Sequence, residues 1–428
     1  MLHFTEGAPG AVIDERRSGE LLDRMLANLG PLQRALLIPP DITRFHSGAG
    51  ELTVALCERL RGKTDFRVLP ALGTHLAMTA EEKDRMYPGV PHDRFLVHDW
   101  RNQLVRLGEV PGDFVREVSE GKVDYSIDVL LARAIIEGGW DAVISIGQLV
   151  PHEVAGIANH NKNVLVGCGG PDFIHKSHFL GAVHGMERMM GRAETPVRRV
   201  FDYAERKFLG GIPLHYILTV RARIESGDVI TRGLFAGDDA ECFRVGAELC
   251  RSVNLAPLDR APRKMVVHLD PHEYRSTWLG NKAIYRTRMA IADDGELVVL
   301  APGVKEFGED AAIDALIRRF GYKGTPATLA AVKEHADLRA NLSAAAHLIH
   351  GSSEGRFRIR YAPGMLSQKE IEAAGYEHGE YAALIKRYDP SKLREGWNVM
   401  PDGEEIFFIS APGLGLWGTR ERFGFADG

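Results

Sequence analysis

Short apolar runs alternate with amphipathic stretches through the first half of this 428-residue chain. Residues 34–39, 65–73 and 141–147 are apolar runs typical of buried strands, and residues 51–61 repeat apolar side chains at helical spacing. This alternation predicts strand–helix units built on a largely parallel sheet. Because the chain is too long for one ordinary domain, we expect two α/β domains.

The predicted domain boundary lies near residues 255–263. This segment contains Pro257 and Pro262 and shows little periodicity, whereas the strand–helix pattern restarts after it. We therefore predict an N-terminal domain over residues 1–258 and a C-terminal domain over residues 263–428. The elements predicted beyond the boundary are strands at 264–269, 296–301 and 405–410, and a helix at 283–292.

The amino-acid composition indicates which binding partners and which cellular compartment are to be expected. The 53 basic and 58 acidic side chains leave a net charge of only −5, so neither a nucleic acid nor a membrane surface is favoured as a partner. The four cysteines are scattered and form no CxxC pair, which disfavours a disulfide framework or a thiolate metal site. No signal peptide or membrane-spanning run is visible, so we expect a cytoplasmic protein.

The first candidate site is the loop after the predicted strand 34–39. It contains Asp41, Thr43, Arg44, Ser47 and Gly48 and leads into the helix at 51–61. A loop between the carboxyl end of a parallel strand and a helix commonly binds phosphates or cofactors, since backbone N–H groups are exposed there. The competing interpretation is a capped turn with a surface arginine. The loop lacks the Gly-Lys-Ser/Thr of a P-loop.

Two further loops follow predicted strands and carry histidines. His75 follows the strand 65–73, and residues Thr79 and Glu82 predict a capping box for the next helix. The stretch 147–178 is rich in glycine, asparagine and histidine, including His152 and His178. Imidazole serves both as a metal ligand and as a proton carrier near neutral pH. These loops therefore predict a binding or catalytic site, although a lone loop histidine is more often structural.

The three loops, in their order and spacing, resemble the nickel-pincer nucleotide enzymes of the lactate racemase family. That family carries an Asp-x-Thr-Arg loop, a Gly-Thr-His-x-x-Met-Thr segment and a Pro-His-x-x-Ala-Gly segment. In this sequence a lysine follows His152 by ten residues and a histidine follows that lysine by sixteen, as in the family. Further similarity at residues 233–238 and 294–308 extends the resemblance over most of the chain.

The resemblance implies a role for each matching residue. Lys162 would hold the cofactor, pyridinium-3,5-bisthiocarboxylic acid mononucleotide nickel, through a covalent bond, and His178 would complete its metal site. Soft sulfur ligands with one imidazole suit Ni(II). The cofactor and its phosphate would be contacted by Asp41, Thr43, Ser47 and Gly48. Catalysis would be carried out by Arg44, His75 and His152, and the active site would lie in a cleft between the two domains.

The implied activity is that of an isomerase: a racemase or epimerase inverting C2 of a 2-hydroxy acid. The hydroxyl proton would move to a histidine while hydride leaves C2 for the cofactor, and two imidazoles on opposite faces of the substrate would serve as base and acid. The only partners implied are the 2-hydroxy acid substrate and the enzymes that synthesise the cofactor.

Substrate recognition departs from the family pattern. Where the family has a Tyr-Gln-x-x-Lys segment, this chain has arginine at the glutamine position (Arg286) and methionine at the lysine position (Met289), with Arg288 beside it. Tyr381 takes the place of an aromatic substrate contact. An arginine can bind a carboxylate bidentately. We therefore expect a 2-hydroxy acid larger or more polar than lactate. The competing interpretation is that Arg286 and Arg288 lie on an exposed helix face and bind no substrate.

Two alternative functions remain at this point. One is a non-catalytic homologue that binds cofactor or ligand without turnover, and the other is a histidine-rich zinc hydrolase, for which the i, i+3 pair His175 and His178 is the weak signal. The sequence assigns no role to His160, His184 or His272.

Overall fold

We describe residues 1–224 and 228–425 of the chain in a computed structural model. They form two compact units: residues 1–180 with 189–254, and residues 181–188 with 255–428. Each unit holds a mostly parallel sheet with helices, so the predicted α/β class is confirmed.

The first unit is built on a six-stranded sheet. Its strands are ordered β1-β10-β9-β6-β2-β3, and the pairs β9–β6, β6–β2 and β2–β3 are parallel. The strands of this part of the chain are β1 Leu2–Gly7, β2 Arg34–Ile38, β3 Asp65–Val68, β4 Leu104–Val110, β5 Ile127–Ala132, β6 Ala142–Gln148, β7 Pro151–His152, β8 Gly156–Ile157, β9 Leu214–Arg223 and β10 Val229–Gly237. The α-helices are α1 Glu15–Leu29, α2 Ala49–Leu60, α3 Ala80–Met86, α4 Gly112–Val118, α5 Arg133–Glu137, α6 Asn161–Leu165, α7 Pro171–His184, α8 Met186–Met189, α9 Pro196–Ala204 and α10 Ala240–Asn254.

Burial of the sheet on both faces explains why the sequences of its central strands are continuous apolar runs. Strand β6 is buried over six of its seven residues, and β2 over four of five, as expected for parallel strands covered on both faces. Helix α2 buries one face on the same core through Leu52, Leu56 and Leu60. The sheet therefore forms a rigid support for the loops at its carboxyl edge.

The second unit repeats this plan. Its six-stranded sheet is ordered β15-β14-β13-β12-β17-β16 and is parallel except for β16. Its strands are β11 Leu255–Leu258, β12 Lys264–His268, β13 Glu296–Ala301, β14 Arg358–Pro363, β15 Glu377–His378, β16 Gly396–Val399, β17 Glu405–Ile409 and β18 Leu416–Thr419. Its α-helices are α11 Thr277–Gly280, α12 Lys282–Tyr285, α13 Ala311–Phe320, α14 Thr325–Glu334, α15 Ala336–Ala340, α16 Leu342–His350, α17 Gln368–Ala373, α18 Tyr381–Arg387 and α19 Arg420–Phe423.

Three sequence-based expectations differ from the structure. The strand predicted at 65–73 ends at Val68, because Pro70 cannot donate to a neighbouring strand. The helix predicted at 283–292 ends at Tyr285, and the following residues pair instead with β18 through bonds such as Thr419 N–H to the Met289 carbonyl at 3.0 Å. The predicted boundary segment 255–263 opens with a strand, β11, which also pairs with β18.

Candidate active site

The three loops singled out in the sequence follow neighbouring strands of the first sheet. Parallel strands β6, β2 and β3 lie side by side, so their carboxyl ends meet at one edge. The loops are joined there: the Gly73 N–H donates to the Gly167 carbonyl at 2.8 Å, and the Asn163 amide donates to the Ile38 carbonyl at 3.0 Å. The structure therefore brings the three loops together.

A buried carboxylate orients one of the predicted catalytic histidines. The Asp41 side chain is only 5% exposed and that of His75 is 55% exposed, and Nδ1 of His75 lies 2.6 Å from Oδ2 of Asp41. Burial alone would raise the pKa of Asp41, but hydrogen bonds from His75 and Thr43 outweigh it and lower that pKa. The carboxylate thus accepts a proton-bearing Nδ1, which leaves Nε2 of His75 with a free lone pair. Such an imidazole is a competent general base.

The second histidine is held in the opposite tautomer. Nδ1 of His152 accepts hydrogen bonds from the backbone N–H groups of Val154 at 3.0 Å and Ala155 at 3.4 Å. The proton of the neutral ring is therefore on Nε2. Burial lowers the pKa of His152 well below its ordinary value, and the nearby charge of Lys162 lowers it further, against an opposing effect of Glu153. His152 is consequently a neutral hydrogen-bond donor at Nε2.

Lys162 lies at the second position of α6 and has an unusual environment for a lysine. Within residues 1–224 and 228–425 no hydrogen bond or ion pair of its amine is found. Burial, with the charge of Arg44 and a smaller contribution of Arg198, lowers its pKa to about 8, although Glu153 acts in the other direction. A lysine without a counter-ion is a strong candidate for a nucleophile or a covalent attachment point.

Arg44 supplies positive charge to the same group of residues. Its side chain is exposed, and its one hydrogen bond among the described residues is a 3.5 Å contact with the Thr43 carbonyl. Its charge contributes to lowering the pKa values of Asp41, His152 and Lys162, so all three lie within its electrostatic reach. The guanidinium is thus available for a carboxylate or phosphate.

His178, on α7, has the hydrogen bonding expected of a metal ligand. Its Nδ1 lies 2.6 Å from the Ile174 carbonyl one turn earlier, and since a carbonyl can only accept, Nδ1 carries the proton. Nε2 then keeps the lone pair that a metal requires, in the arrangement usual for ligating histidines.

Ser47 and Gly48 have a mainly structural position. The Ser47 hydroxyl accepts the Ala49 N–H at the start of α2, and its carbonyl accepts the Thr219 hydroxyl. Gly48 adopts a left-handed conformation, with φ of 77°, and a Cβ there would meet the Arg221 guanidinium at 2.6 Å. Both residues are buried. The capped turn that competes with the binding interpretation is thus present at Ser47 and Gly48, whereas Arg44 earlier in the loop is exposed.

In the second unit the two candidate arginines have different environments. Arg288 is buried in an ion pair with Glu187 at 2.7 Å and also donates to the Ser352 carbonyl, so we do not retain it as a substrate contact. Arg286 is 7% exposed, and its one hydrogen bond in the described part of the chain is a 3.4 Å contact with the Gly415 carbonyl. Its Nε has no acceptor. A buried guanidinium with unused donors is suited to a ligand.

The structure weakens the case for Tyr381 as a substrate contact and adds Lys282 as a candidate. Tyr381 begins α18 and is half-buried, packing against the apolar cluster that contains Val266 and Leu300. Lys282 was not singled out from the sequence, yet it lies one helical turn before Arg286, with Nζ 5.8 Å from the Tyr274 ring. Arg286 also acts on Tyr274, whose pKa is raised to about 12 chiefly by burial. The i, i+4 spacing of the two cations is the signal that could have found Lys282.

The remaining histidines show no ligand cluster. In the described ranges no three His, Cys, Asp or Glu side chains are placed to hold a metal, so the zinc hydrolase alternative lacks a ligand set. His175 and His184 lie on α7, and the backbone N–H of His272 donates to Oδ1 of Asp270 in an exposed turn. His160 is buried beside Tyr216. Among the described residues, no helix is long and apolar enough to cross a membrane.

The fold and site define an α/β protein with an oriented histidine, a donor histidine and an unpaired lysine at the carboxyl edge of parallel strands. Residues 22–191, which contain this whole site, match the family model of the lactate racemase N-terminal domain. This part of the chain is therefore similar to the N-terminal domain of lactate racemases.

Two solved structures share the fold over nearly the whole chain. A structural-genomics crystal structure of a Thermotoga maritima protein is 24% identical with a TM-score of 0.78, and the alignment covers 96% of this chain and 99% of that one. The lactate racemase apoprotein of Thermoanaerobacterium thermosaccharolyticum is 15% identical with a TM-score of 0.69, over 94% and 92% of the two chains. No curated protein matches.

Proposed function

We propose that this chain is an isomerase that inverts C2 of a 2-hydroxy acid with the help of a nickel-pincer nucleotide attached to Lys162. The observation that carries the proposal is the grouping of Asp41–His75, His152 and the unpaired Lys162 at one sheet edge. The donor set fits the cofactor: Lys162 offers an amine without a counter-ion, and His178 offers one imidazole. When bound, the cofactor would supply a hydride acceptor.

The tautomers suggest different duties for the two histidines. His75, with its free Nε2 lone pair, would take the hydroxyl proton and later return it, and Asp41 would stabilise the charged ring. His152, with Nε2–H, would donate a hydrogen bond to a substrate oxygen. Arg44 would hold the substrate carboxylate or the cofactor phosphate. This division modifies the symmetric acid–base pair that the resemblance implies.

Nitrogen NMR of the apoprotein tests this division. We expect the Nδ1–H form for His75 and the Nε2–H form for neutral His152, because Asp41 can only accept and the Val154 and Ala155 amides can only donate. His92, whose Nε2 is paired with exposed Asp84 at 2.7 Å, is an internal reference within the same unit. The same tautomer for His75 and His152 would contradict the proposed roles.

The substrate is proposed to be larger or more polar than lactate, with Arg286 as a carboxylate contact. Replacing Arg286 by glutamine should raise KM for the preferred acid about ten- to a hundredfold with a smaller effect on kcat, because a charge-assisted bond contributes about 1.5–3 kcal/mol. Arg319→Gln, at an exposed ion pair with Asp337, is the matched control and should leave KM unchanged.

The activity itself is tested on protein produced together with the cofactor-making enzymes. A panel of enantiopure 2-hydroxy acids, followed by chiral chromatography, should show inversion of at least one acid. Full cofactor loading without inversion of any acid would instead favour a non-catalytic homologue. Fast inversion of lactate alone would contradict the proposed substrate class while leaving the reaction type intact.

A further inference from the structure

One buried arginine forms several hydrogen bonds with the turn that precedes Lys162. Arg198, on α9, is 2% exposed. Its Nη2 donates to the Ile157 carbonyl at 2.8 Å, both terminal nitrogens lie 3.3 Å from the Asn159 carbonyl, and Nη1 donates to the side-chain oxygen of Asn161. Three acceptors on one short segment thus share a single guanidinium, which fixes the course of the chain just before Lys162.

The charge of Arg198 is not neutralised by direct contact. In the part of the chain that the structure describes, no carboxylate lies within ion-pair distance of it, and the Phe243 ring lies 4.1 Å from its Cζ. Asp202 and Glu205 instead accept from the Asn161 amide at 2.7 and 2.9 Å, and their charges act on Arg198 only at longer range. Buried arginines are normally paired, so this arrangement needs an explanation.

The turn beneath Arg198 is held in an unfavourable backbone conformation. Asn159 and His160 have φ of 68° and 58°, in the left-handed region that costs non-glycine residues about 1–3 kcal/mol each. The Asn159 amide occupies the space where a Cβ on Gly147 would be, at 1.8 Å, and the His160 ring stacks on Tyr216 with centroids 3.8 Å apart. Such a conformation persists only where surrounding contacts determine it.

Lys162 follows His160 by two residues and is surrounded by several charged groups. Arg44 from the loop after β2 and Arg198 from α9 disfavour its protonation, whereas Glu153 from the loop after β6 favours it, and His152 lies nearby as a neutral ring. Asp202 and Glu205 offset part of the charge of Arg198 from a distance, and what remains disfavours protonation of the lysine.

We propose that Arg198 is a positioning residue for Lys162: it locks the Asn159–Asn161 turn that precedes the lysine, and its positive charge favours release of the proton from the amine to which the cofactor is to be attached. The inference rests on the proposed function, because Lys162 is taken as the attachment point. It assigns a role to a residue that touches neither substrate nor cofactor.

The test is the reactivity of Lys162 in the apoprotein. Acetylation by an N-hydroxysuccinimide ester, measured by peptide mass spectrometry across a pH series, reports the fraction of neutral amine. In the unsubstituted chain Lys162 should react with a midpoint well below that of an ordinary exposed lysine. Arg198→Gln should move the midpoint upward and slow labelling near neutral pH about threefold, since raising the midpoint by about half a pH unit reduces the neutral amine about threefold.

Two further variants make the result decisive. Arg199→Gln, the neighbouring exposed arginine paired with Glu117, should leave the profile unchanged. Arg198→Lys keeps the positive charge but has fewer donors for the turn; it should fold if Arg198→Gln does not, and its midpoint should lie between those of the unsubstituted chain and Arg198→Gln. Wild-type reactivity of Lys162 in every folded variant of Arg198 would overturn the proposal.

The labelling result is independent of the proposed reaction. The experiment uses no cofactor and no substrate, so a slowed Lys162 in Arg198→Gln supports the positioning role by itself. Absence of an adduct on Lys162 in protein produced with the cofactor-making enzymes would contradict the proposed function and leave the labelling result standing.

Discussion

Lys162→Met is expected to remove the covalent adduct completely and to reduce inversion of the 2-hydroxy acid by more than about a thousandfold, because the hydride acceptor is no longer held in the site. The variant should nevertheless unfold at the same temperature as the unsubstituted chain or slightly higher. The reason is that the Lys162 amine has no ion pair in residues 1–224 and 228–425, so its removal breaks no contact and relieves a desolvated amine.

On protein produced with the cofactor-making enzymes, intact mass and metal content measure the adduct and chiral chromatography measures inversion; thermal melting is compared on the two apoproteins, because bound cofactor would itself raise the melting temperature. Lys176→Met is the matched control: Lys176 lies on α7 and is paired with Asp172 at 2.8 Å. The control should keep the adduct and lose a little stability. An adduct of unchanged mass on Lys162→Met would overturn the attachment site, and a large fall in its melting temperature would show that Lys162 is structural.

The location of the site could be predicted from the sequence because it follows from local patterns. Apolar runs ending at Pro39, Gly73 and Gly147 predict parallel strands, and the loops after such strands share one edge. His75, His152 and Lys162 lie on those loops in the structure. The capping box of Thr79 and Glu82 is also confirmed.

Contacts between distant parts of the chain could not be predicted in this way. The pairing of His75 with Asp41 joins two loops 34 residues apart, and the ion pair of Arg288 with Glu187 joins residues 101 apart. Arg198 and Arg199 are indistinguishable as neighbours in sequence, yet one is fully buried and the other is exposed. Burial and partner, which decide these roles, depend on packing that one sequence does not reveal.

Asp41→Asn is expected to lower the inversion rate about a hundred- to ten-thousandfold while leaving the cofactor adduct in place. An asparagine keeps the shape of the residue but carries no charge, so it neither stabilises a protonated His75 nor ensures that Nδ1 carries the proton. Steady-state kinetics and intact mass on the loaded protein measure the two effects. In a His75→Gln background the same change should cause little further loss, because Asp41 would act through His75.

The pH dependence of stability gives a second readout of this carboxylate that needs no cofactor. The pKa of Asp41 is lower in the folded chain than in the unfolded one, so the unfolded state binds the proton more readily. Its contribution to the free energy of unfolding is therefore complete above the unfolded pKa, about 3.9, and is lost as pH falls through the folded value. The difference in urea stability between the unsubstituted chain and Asp41→Asn should shrink in that acid range. Asp84→Asn, at the exposed pair with His92, should affect neither activity nor this difference. A pH-independent difference would mean that Asp41 stabilises the loop by its shape and not by its charge, and the orienting role assigned to it would then be wrong.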